Sequence, residues 1–218
     1  MKEMKDFFAL CKYSFKFTTN ITFMLIFLGI GVVTEVVSKG TQYLGGFYVV
    51  LCSMYMFQFV MSLSMSDMIQ SSGIGRRIQL DIPVKLNLTL SFVLFIFTIL
   101  IIFRSVMAGR YPEKANEIAT SLFVIDILIF QLFIYTAVVY KYFLASIIIF
   151  CLVIGFITAG LTFITNLDMF GGLTLSTSII LGYVLIAVGA ALQYLICRLI
   201  IRKPVSQRAF RGIFRDAK

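Results

Sequence analysis

The 218-residue chain contains no histidine and no tryptophan, only 3 prolines and only 13% charged residues. The lack of histidine removes the commonest general base and metal ligand. The lack of tryptophan leaves any interfacial aromatic belt to tyrosines such as Tyr43, Tyr111, Tyr140 and Tyr194. Soluble domains carry about 25% charged residues, so the low charge argues against one. The 4 cysteines, Cys11, Cys52, Cys151 and Cys197, are widely scattered and form neither a disulfide framework nor a zinc pattern. They read as small buried hydrophobes. No Walker A sequence occurs, and Gly73-Ile74-Gly75 is too little glycine to cradle a phosphate by itself. H-E-x-x-H, C-x-x-C, G-x-S-x-G and paired intramembrane acids are also missing. Catalysis and a resident cofactor are therefore not expected in this chain.

What is present is apolar. Hydrophobic residues make up 60% of the chain and the mean hydropathy is +1.00. A membrane helix needs roughly 20 apolar residues, so the length accommodates about six. The runs lie at about Thr18 to Val37, Gly45 to Met65, Leu88 to Phe103, Ala119 to Val139, Phe143 to Ile164 and Leu173 to Leu199. The expected fold is an all-α membrane protein: an N-terminal segment 1–17, a six-helix transmembrane domain 18–199 and a basic tail 200–218. The first apolar run starts after 16 residues and lacks a small-residue cleavage site, so a cleavable signal peptide is not expected. In Met1 to Phe17, Met4, Phe7, Phe8, Cys11 and Phe15 share one helical face and Lys5, Lys12 and Lys16 another. That suits a helix lying in the interface plane, although a basic flank that only orients the first span has the same composition.

Charge sets the expected orientation. Of the 19 lysines and arginines, 15 fall in the N-terminal segment, the loops after the second and fourth runs, and the C-terminal end. The positive-inside rule then places both termini in the cytoplasm; topology accounts for the net charge of +9, so no nucleic-acid partner is expected. The longest loop on that side, 66–87, contains Ser71-Ser72-Gly73 as a turn. Ile74, Ile78 and Asp81 follow at helical spacing, and Pro83 is expected to stop the short helix they form. Arg76, Arg77 and Gln79 would face the cytoplasm, either as topology markers touching anionic lipid or as a docking element for a partner.

Inside the apolar runs, polar residues are few. Asp126 is the acid deepest in a span, where a charge costs a few kcal/mol unless paired or facing water. An ion pair with Arg104 and a polar position in a pathway are the two readings. Gln58, Gln131 and Gln193 read first as interhelical hydrogen-bonding residues, and Glu35 as a marker of the interface. Small residues at Gly155 and Ala159, and at Gly182, Ala187 and Ala190, would allow close helix approach, within one chain or between two copies. Phe23, Phe27, Phe47, Phe57 and Phe59 crowd the first two runs, so a pathway lined by them would be apolar and aromatic.

An amphipathic start, six spans, cytoplasmic termini and a helix-forming loop between the second and third spans resemble the permease subunit of an ABC-2-type exporter. Ser72-Gly73-Ile74-Gly75-Arg76-Arg77 and the tail Arg202-Lys203-Pro204-Val205-Ser206 are similar to stretches of small permeases of this kind. The resemblance implies that Ser72 to Asp81 is a coupling helix (Ser72, Gly73, Ile74, Gly75, Arg76, Arg77, Ile78 and Asp81) docking on a separate ATP-binding subunit. It implies a pair of permease copies with two such subunits, which bind ATP and Mg, in a bacterial cell membrane. It also implies that the first, second and fifth spans face the partner copy, with amphipathic peptides of toxin or bacteriocin type, or other lipophilic molecules, as cargo. The short outer segment Asn166 to Gly172 departs from the family's pattern of re-entrant helices before the last span. A substrate-binding membrane subunit of an importer, and a non-transport immunity or sensory protein, are the alternatives.

Overall fold

In the computed structural model, the described residues are 17–64, 75–105, 115–139, 142–165 and 174–200; the side chains of 55–64, 75–79, 105, 115, 143 and 157–165 lie outside the description. The N-terminal segment, Ser72 to Ile74 and the basic tail also fall outside it. Six helices are described: α1 Phe17–Ser38, α2 Leu44–Ser64, α3 Gly75–Ser105, α4 Ala115–Val138, α5 Phe143–Thr165 and α6 Leu175–Ile200. The described residues are all helix and connection. Four helical stretches are long and apolar enough to cross a membrane: Phe17–Ser38, Leu80–Arg104, Asn116–Val138 and Leu175–Ile200. The described apolar stretches of α2 and α5 are shorter, Leu44–Met54 and Leu144–Phe156.

Side chains such as Val33, Val37, Leu100, Leu144, Phe156, Ile180 and Leu199 cover the outside of the bundle. Water would not solvate so apolar an exterior, whereas hydrocarbon would. The chain is thus a membrane-embedded helical protein.

Consecutive helices alternate in direction. Leu80 near the start of α3 packs with Ala137 and Cys197 near the ends of α4 and α6. At the opposite end, the Ser178 hydroxyl of α6 donates to the Ala119 carbonyl of α4 at 3.0 Å, and Gly40 after α1 lies against Ile102 of α3. Arg76, Arg77, Lys85 and Arg198 belong to the first of these ends, hereafter the basic end.

Local chemistry sets the helix limits. Lys39 and Gly40 turn left-handed, with φ of 62° and 79°, and the Gly40 amide donates to the Glu35 carbonyl at 3.3 Å. This six-to-one bond is a Schellman-type stop. α6 starts with a reciprocal cap. The Thr177 hydroxyl accepts from the Thr174 amide at 2.9 Å, and the Thr174 hydroxyl accepts from the Thr177 amide at 3.2 Å.

α4 is the centre. It packs most extensively on α6 and also meets α2, α5 and α3; α1 pairs with α2, and α3 bridges α2 and α6. Phe95, Ile102, Ile118, Leu122, Ile125, Ile129, Leu132, Phe133 and Ile186 form the core where α3, α4 and α6 meet. Glycines bring the backbones close: Gly31 lies against Val49 and Gly45, Gly46 against Ile125, and Gly189 against Phe133.

Pro83 does not stop a helix, contrary to the expectation from sequence. It lies inside α3, a single helix of 31 residues, so the short helix expected before it is the first part of the third membrane helix. Proline in a helix interior removes one backbone hydrogen bond and costs about 3 kcal/mol. Packing offsets that cost here. Leu80, Pro83, Asn87, Ser91, Phe95, Thr98 and Ile102 are all buried, a helical stripe that passes through the proline without a break in period.

Candidate functional site

Polar side chains inside the bundle form three groups. The first lies toward the basic end, where α3, α4 and α6 are joined by side-chain amides and a hydroxyl. Asn87 Nδ2 donates to Thr136 Oγ1 at 3.2 Å and to Gln193 Oε1 at 3.2 Å. The Thr136 hydroxyl also bonds back to the Leu132 carbonyl at 2.9 Å. All three side chains are buried, and Asn87 Oδ1 and Gln193 Nε2 keep no partner among the described residues. The spare atoms are one acceptor and one donor, a pair that one water molecule satisfies.

The second group centres on Asp126 of α4, which is 1% exposed. Its carboxylate lies against Gly182 of α6, and the Phe95 ring of α3 closes on the same glycine. A side chain at position 182 would overlap both. Neither carboxylate oxygen has a hydrogen-bond partner among the described residues. The ion pair with Arg104 expected as one reading is not formed, because Arg104 is exposed in the last turn of α3 while Asp126 is enclosed. The hydroxyls of Ser91 and Ser121 are likewise buried and unpartnered.

The third group is Glu35, also 1% exposed. The sequence placed it at the interface; instead it is enclosed between α1 and the start of α2. The Schellman turn reverses the chain immediately after α1 and folds the first residues of α2 back over Glu35. Its carboxylate lies against Gly45, and a side chain at 45 would strike both that carboxylate and the Glu35 backbone. The Gly46 amide faces the carboxylate without completing a hydrogen bond. Gly45 and Gly46 look in opposite directions, the first toward Glu35 and the second toward Ile125, the neighbour of Asp126.

The remaining candidates separate. Gln131 Nε2 donates to the Phe150 carbonyl at 3.1 Å and ties α5 to α4, so it is a helix-to-helix bond. The side chain of Gln58 lies outside the description. Gly182 and Ala190, candidates for contact between copies, are buried within this chain against α3 and α4; Ala187 is exposed. Gly155 of α5 has open space where a side chain would be, and the side chain of Ala159 on the same helix is outside the description. Cys52 and Cys197 are buried as expected, whereas Cys151 is exposed. Phe27 stacks on Tyr48 with centroids 5.9 Å apart, joining α1 to α2. Of the coupling segment, Gly75, Arg76, Arg77 and Ile78 lie in the first turn of α3, and Asp81 is half-buried one turn later.

Asn87 and Thr136 were missed in the sequence because both types are common at helix surfaces. The signal for Asn87 was its place on the stripe Leu80, Pro83, Asn87, Ser91, Phe95, but the expected break at Pro83 hid it. No protein-family model, curated protein or solved structure matches the chain.

Proposed function

We propose that this chain is the membrane permease subunit of an ATP-driven exporter of the ABC-2 type, paired with a second copy and with two separate ATP-binding subunits. The observation that carries the reading is the continuity of α3. Gly75 to Asp81 are part of the same helix as the third membrane span. Force applied at Gly75 to Asp81 passes directly to Asn87, Ser91 and Phe95 in the core, which a flexible loop would not transmit.

The charge at the start of α3 supports a partner there. Its first turn carries Arg76 and Arg77 and no acid, although a helix N-terminus disfavours positive charge by about 0.3–1 kcal/mol per residue. An acidic groove on another subunit, or anionic lipid, would offset that. On this reading all six helices cross the membrane, both termini are cytoplasmic, and the ATP and Mg chemistry belongs to the partner. The apolar, aromatic character of α1 and α2 favours amphipathic peptides or other lipophilic molecules as cargo.

The test is purification of the tagged protein from its native membrane, beside a variant with Arg76→Glu and Arg77→Glu, with Mg-ATP hydrolysis as readout. An ATPase that accompanies the unaltered protein and is lost or uncoupled in the variant supports the proposal. No ATPase with the unaltered protein sinks it. The Asn87–Thr136–Gln193 cluster favours a second reading, a substrate-binding subunit of an importer. That reading requires a small polar ligand to remain bound through purification and to be lost in Gln193→Leu.

A further inference from the structure

We infer that Asp126 is a proton-binding site whose occupancy is tied to the closed packing of α3, α4 and α6. The inference goes beyond the transporter reading and does not depend on it. The carboxylate is enclosed, and no described donor reaches either oxygen. An ionised carboxylate in such a place has to be compensated or neutralised.

Among the described residues, the surroundings supply no compensating charge. Along α3, the charged residues nearest the site are Lys85 and Arg104, both exposed. α6 carries no charge before Arg198, which is exposed, and the described side chains of α2 carry none. On α4 itself Glu117 is exposed, and Glu35 of α1 lies across α2. The other titratable groups facing this region are tyrosines and a thiol. Tyr183 packs edge-on against Phe95 at 5.2 Å, Tyr43 packs on the core, and Tyr48 and Cys52 face α1. Tyr135 lies toward the basic end against Phe150.

The chemistry of the wall selects among small cations. A hard metal ion takes about six oxygen ligands. The carboxylate meets Gly182 and sits beside the Phe95 ring, with Leu122, Ile125 and Ile129 on its own helix also buried in the core. A proton needs no further ligand. It is taken from water onto one carboxylate oxygen, forming an O–H bond, and returns to water when the bond breaks, so no other reactant is required.

Two further buried hydroxyls have no partner among the described residues: Ser121, five residues before Asp126 on α4, and Ser91, one turn before Phe95 on α3. Such groups are the usual stations of internal water. Phe95 and Gly182 close the site. Separation of α3 from α6 would admit water and favour release, so proton binding and closure support each other.

The test uses the full chain in lipid nanodiscs and infrared spectroscopy across pH, comparing the unaltered protein with Asp126→Asn and Glu35→Gln. A carboxylic-acid carbonyl band at neutral pH is expected in the unaltered protein and in E35Q, and the part of the band that remains in E35Q is expected to vanish when Asp126→Asn is added. The thermal midpoint of the unaltered protein should fall as pH rises, because the folded form holds a proton that the unfolded form releases. D126N should make that slope shallower. A band indifferent to D126N, or parallel pH profiles, overturns the inference. So does a sodium-dependent rise in midpoint at fixed pH that D126N abolishes, since the occupant would then be a metal ion. If D126N does not fold, Gly182→Ala displaces the carboxyl instead. A shifted band supports the inference, and an unshifted one overturns it.

Discussion

Glu35 and Asp126 are both buried carboxylates lodged against a glycine, and they differ in which part of a helix that glycine occupies. Gly45 lies in the first turn of α2, where backbone amides are free and the helix presents positive partial charge. Gly182 lies well inside α6, where the amides are used by the helix itself. Glu35 therefore lies inside a hairpin and beside a helix terminus, although neither of its oxygens completes a hydrogen bond among the described residues. Asp126 meets Gly182 beside the Phe95 ring, and neither of its oxygens has a hydrogen-bond partner among the described residues. The same side-chain chemistry is packed into a hairpin in one place and is a candidate exchange site in the other.

Substitution of the two glycines should give the largest effects. Gly45→Val drives a side chain into the Glu35 backbone, which lies 2.6 Å from the added carbon at the nitrogen. Gly182→Val meets the Phe95 ring, whose far end can give way. Overpacking of this kind costs about 1–3 kcal/mol or more, so thermal unfolding in detergent should show both variants weakened and Gly45→Val weakened more. The reverse order would mean that the hairpin is looser than the core.

Asn87→Leu comes next. It removes two buried hydrogen bonds and strands Gln193 and Thr136, at an expected cost of about 1–2 kcal/mol, since bonds inside membranes average somewhat less than 1. Double-mutant cycles with Gln193→Leu should recover a coupling of the same sign.

Glu35→Gln and Asp126→Asn form the sharpest pair. The first should lower stability by about 1 kcal/mol or less, because Glu35 is enclosed against Gly45 and the substitution disturbs that packing. The second should leave stability unchanged or raise it as pH increases. Two variants moving in the same direction would erase the distinction between the sites.

Gly155→Ala should be the mildest, within about 0.5 kcal/mol, because no described residue lies within 4 Å of the carbon it would add. Cross-linking in membranes provides its second readout. A loss of paired copies without a loss of folding would place a partner against α5.

The helices were legible as apolar runs because hydrocarbon demands length and hydrophobicity before anything else. The expected run from Phe143 to Ile164, for instance, corresponds to α5 at Phe143–Thr165. What composition could not convey was direction around each helix. Glu35 reads as an interface residue by its distance from the end of the run, and only the Schellman turn at Lys39 and Gly40 brings α2 over it. Gly182 reads equally as a contact with another copy or with α4, since a small residue carries no label for its partner. Pro83 misled for a different reason: its local preference against helix was outweighed by a buried stripe that depends on residues more than 50 positions away, such as Ala137 and Cys197.

The packing of α4 against α6 also bears on biogenesis. α4 leaves the ribosome with Asp126 already in its middle, yet the surface that encloses that side chain, around Gly182, belongs to the last helix of the bundle. Until α6 is synthesised, α4 must hold its acid in the insertion machinery, in water or against α3 alone. Assembly of the core is therefore a late event, and a chain truncated before α6 would present quality-control proteases with an unshielded acid in the plane of the membrane.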